Sequence, residues 1–126
     1  MKNDKENLIV ALTFEFALHI ITFCEELESQ KKYVISKQLI RSGISIGANV
    51  REAQNAESKA DFIHKMKIAA KEADETEYFL LLCQSSKTYP FDPTLLDKLI
   101  SIIKIISKII ASSKAVKTFS NLQITQ

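Results

Sequence analysis

Glycine, proline and tryptophan are scarce in this chain. Its 126 residues hold two glycines, two prolines and no tryptophan, where average usage would give roughly nine glycines and six prolines. All-β folds need many tight turns, and tight turns need those residues. The shortage excludes an all-β fold and predicts an all-α domain. It also excludes chemistry. With glycine at positions 43 and 47 alone, the chain cannot spell a G-x-x-x-x-G-K-[ST] phosphate loop, a G-x-G-x-x-G turn or a G-x-S-x-G nucleophile elbow.

Cysteine is equally sparse. Cys24 and Cys83 stand far apart without a C-x-x-C pair, inside apolar helical pattern, and read as buried reduced thiols of a cytoplasmic protein. No uncharged apolar run approaches the ~18 residues of a membrane span. Met1 to Asn7 mixes Lys2 and Lys5 with Asp4 and Glu6, a poor match to a secretory leader. The expectation is one cytoplasmic domain spanning 1–126, long enough for a real core.

What is present is helical periodicity. Four helices are expected at about 5–28, 36–56, 58–86 and 92–117, with a frayed tail at 118–126. In the first, Glu15, His19, Thr22 and Glu26 form one narrow polar stripe in an otherwise apolar segment. Ser36 is the expected N-cap of the second helix. Ser58 to Asp61 has capping-box spacing for the third. Asp92-Pro93 pairs an N-cap with a first-turn proline for the fourth. That last segment is rich in isoleucine, which favours strands, but Asp97, Ser101, Lys104 and Lys108 repeat at helical spacing. Four helices on short loops predict an antiparallel up-and-down four-helix bundle. The first and fourth carry more apolar surface than one bundle face needs. That surplus is expected to be buried between subunits.

Lysine plus arginine is 17 and aspartate plus glutamate is 15, a net charge of +2. The distribution is uneven. Residues 1–30 are net −4, residues 31–58 net +3, residues 59–86 net −1 and residues 87–126 net +4. This pattern is either an ordinary solvated surface or a cationic one. The candidate nucleic-acid contacts are Lys31, Lys32, Lys37, Arg41, Arg51 and Lys59, which would grip phosphates rather than read bases.

At 100° per residue, Ile35, Leu39, Ile46, Val50 and Ala53 form the core stripe of the second helix. Lys37, Arg41 and Arg51 lie opposite. Both glycines of the chain, Gly43 and Gly47, share one flank. Each costs about 1 kcal/mol of helix propensity relative to alanine. They mark either a local kink or, as preferred here, a close helix–helix approach within the bundle or between subunits.

The stretch from Tyr33 to Ala53, YVISKQLIRSGISIGANVREA, closely resembles the motif of the 23S rRNA intervening-sequence protein family. Ala60-Asp-Phe-Ile63 and Ala73-Asp-Glu-Thr-Glu-Tyr78 resemble its pattern too, and the resemblance spans roughly residues 10–85. Gly47 stands where many members carry proline. The resemblance implies a bacterial four-helix bundle that assembles as a homopentamer. The family includes the accessory variability protein of diversity-generating retroelements, which works with a reverse transcriptase and RNA. No catalytic residues are carried over.

No enzyme constellation emerges independently. Asp61-x-x-His64 resembles half of a di-iron site, but its second motif is missing, and Glu15 precedes His19 by four rather than three. No metal, cofactor or small-molecule substrate is expected. Gly43, Gly47, Asn49, Glu52 and Glu77 are the candidate packing or oligomer residues. Arg41 or Arg51 is expected to pair with Glu52 or Glu77. The reading is a non-enzymatic homo-oligomer that binds RNA or an RNA-handling partner such as a reverse transcriptase. The alternative is a protein-only scaffold without nucleic-acid binding.

Overall fold

The computed structural model describes the backbone of residues 4–125 and the side chains of residues 8–115. The side chains of Met1 to Asn7, read above against a secretory leader, lie outside that set. Four helices follow in order: α1 (Asp4–Ser29), α2 (Tyr33–Ala53), α3 (Lys59–Ser85) and α4 (Pro93–Thr125). The all-α reading holds. The isoleucine-rich segment is helical and continues to Thr125, so the tail expected to fray from 118 belongs to the helix.

Helix ends show how the sequence sets the loops. α1 stops at a left-handed residue, Lys31, with φ of 63°. The Lys32 amide donates to the Leu27 carbonyl at 2.8 Å, and the Lys31 amide to the Glu28 carbonyl at 2.9 Å. These two bonds make a Schellman cap, in which glycine normally takes the left-handed position. The chain therefore re-enters a helix at Tyr33, with Lys32 as the N-cap residue and no side-chain cap. Ser36 is not the cap expected from sequence. It is buried one turn inside α2, where its hydroxyl bonds to the Cys24 carbonyl at 3.3 Å and to Glu28 Oε2 at 2.9 Å.

The other two starts are capped by side chains. Ser58 Oγ accepts from the Asp61 amide at 3.0 Å, and Asp61 Oδ2 accepts from the Glu57 amide at 3.2 Å. The reciprocal arm thus reaches one residue further back than in the usual capping box. Asp92 Oδ1 accepts from the Thr94 amide at 3.0 Å and from its hydroxyl at 2.6 Å. These bonds, the Thr94 hydroxyl foremost, hold the Asp92 carboxyl below its ordinary pKa.

Pairings across the seams fix the topology. Ser42 meets Thr76 and Glu52 meets Lys65, so α2 and α3 run antiparallel. Ser36 meets Cys24 and Gly47 meets Thr13, so α1 and α2 do as well. Lys98 of α4 reaches His19 Nδ1 at 3.1 Å and Glu15 at 4.0 Å on α1. Each helix packs on its two neighbours in a closed ring, α1–α2–α3–α4. Ile9, Phe16, Ile20 and Leu27 of α1 meet Leu39, Ile46, Met66, Leu80, Leu99 and Ile106 in one core.

By length and composition, Leu8–Ser29 could cross a membrane. The charged Glu15 interrupts its apolar run, and here its inward face forms a wall of the core. Its outward face is also apolar: Leu8, Phe14, Leu18 and Ile21 are exposed. The surplus predicted for α4 is not exposed in the same way. Among the described residues, its large apolar side chains are buried or half-buried, because α4 packs on both α1 and α3.

Candidate functional site

The glycines of α2 face α1. A Cβ on Gly43 would lie 2.9 Å from both Cγ atoms of Ile20, and one on Gly47 would lie 3.2 Å from the Thr13 carbonyl oxygen. Neither a real Cβ nor its neighbours tolerate the first distance without movement, so the glycines set the closeness of the α1–α2 seam. The helical phase of the sequence already put both glycines on one flank of α2.

On the outer side of the same seam runs an apolar groove of about 310 Å³. Phe14, Leu18 and Ile21 of α1 form one wall, and Ile44 of α2 stands on the other. Small residues, Ala17, Gly47 and Ala48, line it between them. Arg51 closes one end. Phe14 is 61% exposed and Leu18 is 50% exposed, far from the burial that large apolar side chains seek. Sequence reading recognised the surplus on α1 but not its partner residues on α2. The signal was available: Phe14, Leu18 and Ile21 lie about 180° from the core residues Phe16, Ile20 and Phe23 on the helical wheel.

The six candidate cations do not form one continuous surface. Lys31, Lys32 and Lys37 gather at the α1–α2 turn, where Lys32 Nζ sits 4.7 Å over the Tyr89 ring of the α3–α4 loop. Lys59 lies at the opposite end, at the start of α3. Between them Arg41 is neutralised by α3, with Nη1 at 3.3 Å from Glu72 and Nη2 at 3.4 Å from Glu75. Helical phase explains why Glu72 and Glu75, rather than Glu77, take this role: they lie three apart on the α3 face toward α2, and Glu77 is about 200° round the helix from Glu75. Glu52 lies further along α2, opposite Lys65, and bonds to it at 3.1 Å. Arg51 and Glu77 have no ion pair among the described residues. Asn49 turns back on its own helix, donating to the Ser45 carbonyl at 2.8 Å.

The titratable core gives no reactive centre. Burial pushes the Cys83 thiol up to about 11, with the nearby Cys24 thiol adding to the effect, and burial also raises Cys24. Both are thiols rather than thiolates near neutral pH, and so poor nucleophiles. Asp61 is engaged in capping, and His64 is exposed. Among the described residues, no three His, Cys, Asp or Glu side chains converge as metal ligands.

The sequence pattern of the 23S rRNA-intervening sequence proteins matches residues 5–112. The chain belongs to that family. A solved structure of a protein of unknown function from the S23 ribosomal protein family of Bacteroides thetaiotaomicron VPI-5482 is similar to it, with 41% sequence identity and a TM-score of 0.80. The match covers 85% of this chain and 98% of that one. No curated protein matches. Within this intervening-sequence protein, the α1–α2 groove and the lysines of the α1–α2 turn both lie in the matched region.

Proposed function

We propose that this family member is a non-enzymatic, self-assembling four-helix bundle of the cytoplasm, with the α1–α2 groove as a subunit interface. The observation carrying this reading is the exposed apolar wall of Phe14, Leu18 and Ile21 facing Ile44 across a glycine- and alanine-lined channel. Contiguous exposed apolar surface on a soluble protein marks an interaction site. The family resemblance supports copies of the same chain as the occupant, five in number. Light scattering at micromolar concentration should return a mass several times the 14.2 kDa of one chain. A single-chain mass overturns the reading.

A second reading, RNA binding, is favoured by one observation. Lys31 holds a left-handed conformation that glycine would adopt more cheaply, and it places three lysines together with Lys32 and Lys37. A closed ring would repeat this cluster on every subunit, and multivalency would raise avidity without new contacts. Affinity for RNA should then fall with salt, by about one unit of log–log slope per phosphate neutralised. Changing Lys31, Lys32 and Lys37 together to alanine should weaken retention and flatten that slope while leaving the mass unchanged. Unaltered RNA retention and slope would leave the protein-only scaffold.

A further inference from the structure

A second apolar surface lies on the far side of the bundle. Tyr78, Leu81 and Leu82 of α3 are 60%, 41% and 40% exposed. They point away from the core residues Ala69, Ala73, Thr76 and Leu80 of the same helix. Unlike the groove, this surface is convex: one helix ridge with no partner beside it on its outer side. Its ends, Tyr78 and Leu82, are four positions apart, about 6 Å of helix axis, while Phe14 and Ile21 of the groove wall are seven apart, about 10 Å. A ridge of that length fits inside a groove of that length.

One opposite-charge pair is also available across such a contact, on a ridge face that Asp74 shares with Lys67 and Lys71. Arg51 stands at one end of the groove, and Asp74 stands one helical turn from Tyr78 on the ridge face. Among the described residues neither has an ion-pair partner. If copies met groove to groove, both Arg51 side chains would enter one interface and the α3 ridge would stay in water. A head-to-tail contact instead buries both surfaces and brings Arg51 to the ridge that carries Asp74. Such heterologous contacts close into rings when the rotation permits.

We propose that the occupant of the α1–α2 groove is the α3 ridge of the next copy, with Tyr78, Leu81 and Leu82 seated between Phe14, Leu18 and Ile44, and Arg51 paired with the next copy's Asp74. The inference rests on the self-assembly reading and specifies its geometry. Both surfaces are exposed in the single chain, so charged substitutions there leave the core intact.

The test uses two full-length variants, Leu18→Glu in the groove and Leu81→Glu on the ridge, in sedimentation velocity with circular dichroism as the folding control. Each alone should be folded and monomeric. Mixed in equal amounts they should form a dimer and stop there, because the intact ridge of Leu18→Glu docks in the intact groove of Leu81→Glu. The Arg51→Glu and Asp74→Arg variants should each weaken assembly at least tenfold, and the double variant should recover it. A Leu81→Glu protein that assembles like wild type overturns the ridge while leaving the groove as an interface. Two monomeric variants that do not complement each other also overturn it. A monomeric wild-type protein overturns the self-assembly reading itself.

Discussion

Three residues show how local chemistry sets this bundle's geometry. At Gly43, a methyl group would enter the space of Ile20, a fully buried branched side chain. Overpacking of that kind costs about 1–3 kcal/mol, against a helix-propensity gain of about 1 kcal/mol. Gly43→Ala should therefore lower the unfolding free energy by about 1 kcal/mol in urea titration. Gly47→Ala faces a milder 3.2 Å approach to the Thr13 carbonyl and should cost less than Gly43→Ala; the reverse order would show that the seam is not set by Ile20. Lys31 is the opposite case, a side chain where glycine fits better. Lys31→Gly should raise stability by about 1 kcal/mol, whereas Lys31→Ala should not, since alanine also pays for the left-handed backbone. Equal midpoints for Lys31→Gly and wild type would contradict that assignment.

At the scale of helices, caps and seams decide where each element begins and what it touches. Asp92 bonds to both the amide and the hydroxyl of Thr94 at the start of α4. Asp92→Ala should cost about 1 kcal/mol at neutral pH. Because its carboxyl titrates below the ordinary value of 3.8, the charged form is the one favoured by folding. Its contribution is present above that value and is lost as pH falls through the lower folded pKa. The gap between Asp92→Ala and wild type should narrow in thermal melts taken at successively lower pH below 3.8; a constant gap would mean the cap does not act through the carboxylate. The α2–α3 seam holds a buried polar pair, Ser42 and Thr76, 2.8 Å apart between hydroxyl oxygens. Removing the Thr76 hydroxyl leaves that of Ser42 unpartnered in the core, which costs about 1–3 kcal/mol, whereas Thr76 without Ser42 keeps its bond to the Glu72 carbonyl at 2.8 Å. Ser58 and Asp92 were legible as caps because side-chain oxygens and proline carry local signals. The α2 start was not, because the helix begins at Tyr33, directly after the left-handed turn at Lys31 and three residues before the Ser36 that local signals suggested, with no side-chain cap. Sequence spacing could not reveal that the chain would turn on a left-handed lysine.

At the scale of the whole molecule, a chain of 14.2 kDa exposes two apolar surfaces on opposite faces of one bundle. If assembly covers them, folding and association are linked, and stability depends on protein concentration. The thermal midpoint should rise with concentration for wild type and be flat for Leu18→Glu. A wild-type midpoint independent of concentration across the micromolar range would argue that the chain folds and works alone. The six cations read from sequence as one candidate surface are divided in space. Their separation follows from the antiparallel register, which places Arg41 against Glu72 and Glu75 and sends Lys59 to the far end.

The sequence by itself determined the helical class, the four segments and the family, because turn residues, caps and the periodicity of apolar positions act over a few residues. It also determined that both glycines share one flank of α2. Only the tertiary structure decided what that flank meets, since contact between α1 and α2 depends on the turn at Lys31 and the register that follows it. The same register decided that Arg41 is paired while Arg51 is left at the mouth of an apolar groove. Periodicity measures how much of a helix is apolar; which part of it stays uncovered depends on how its neighbours pack.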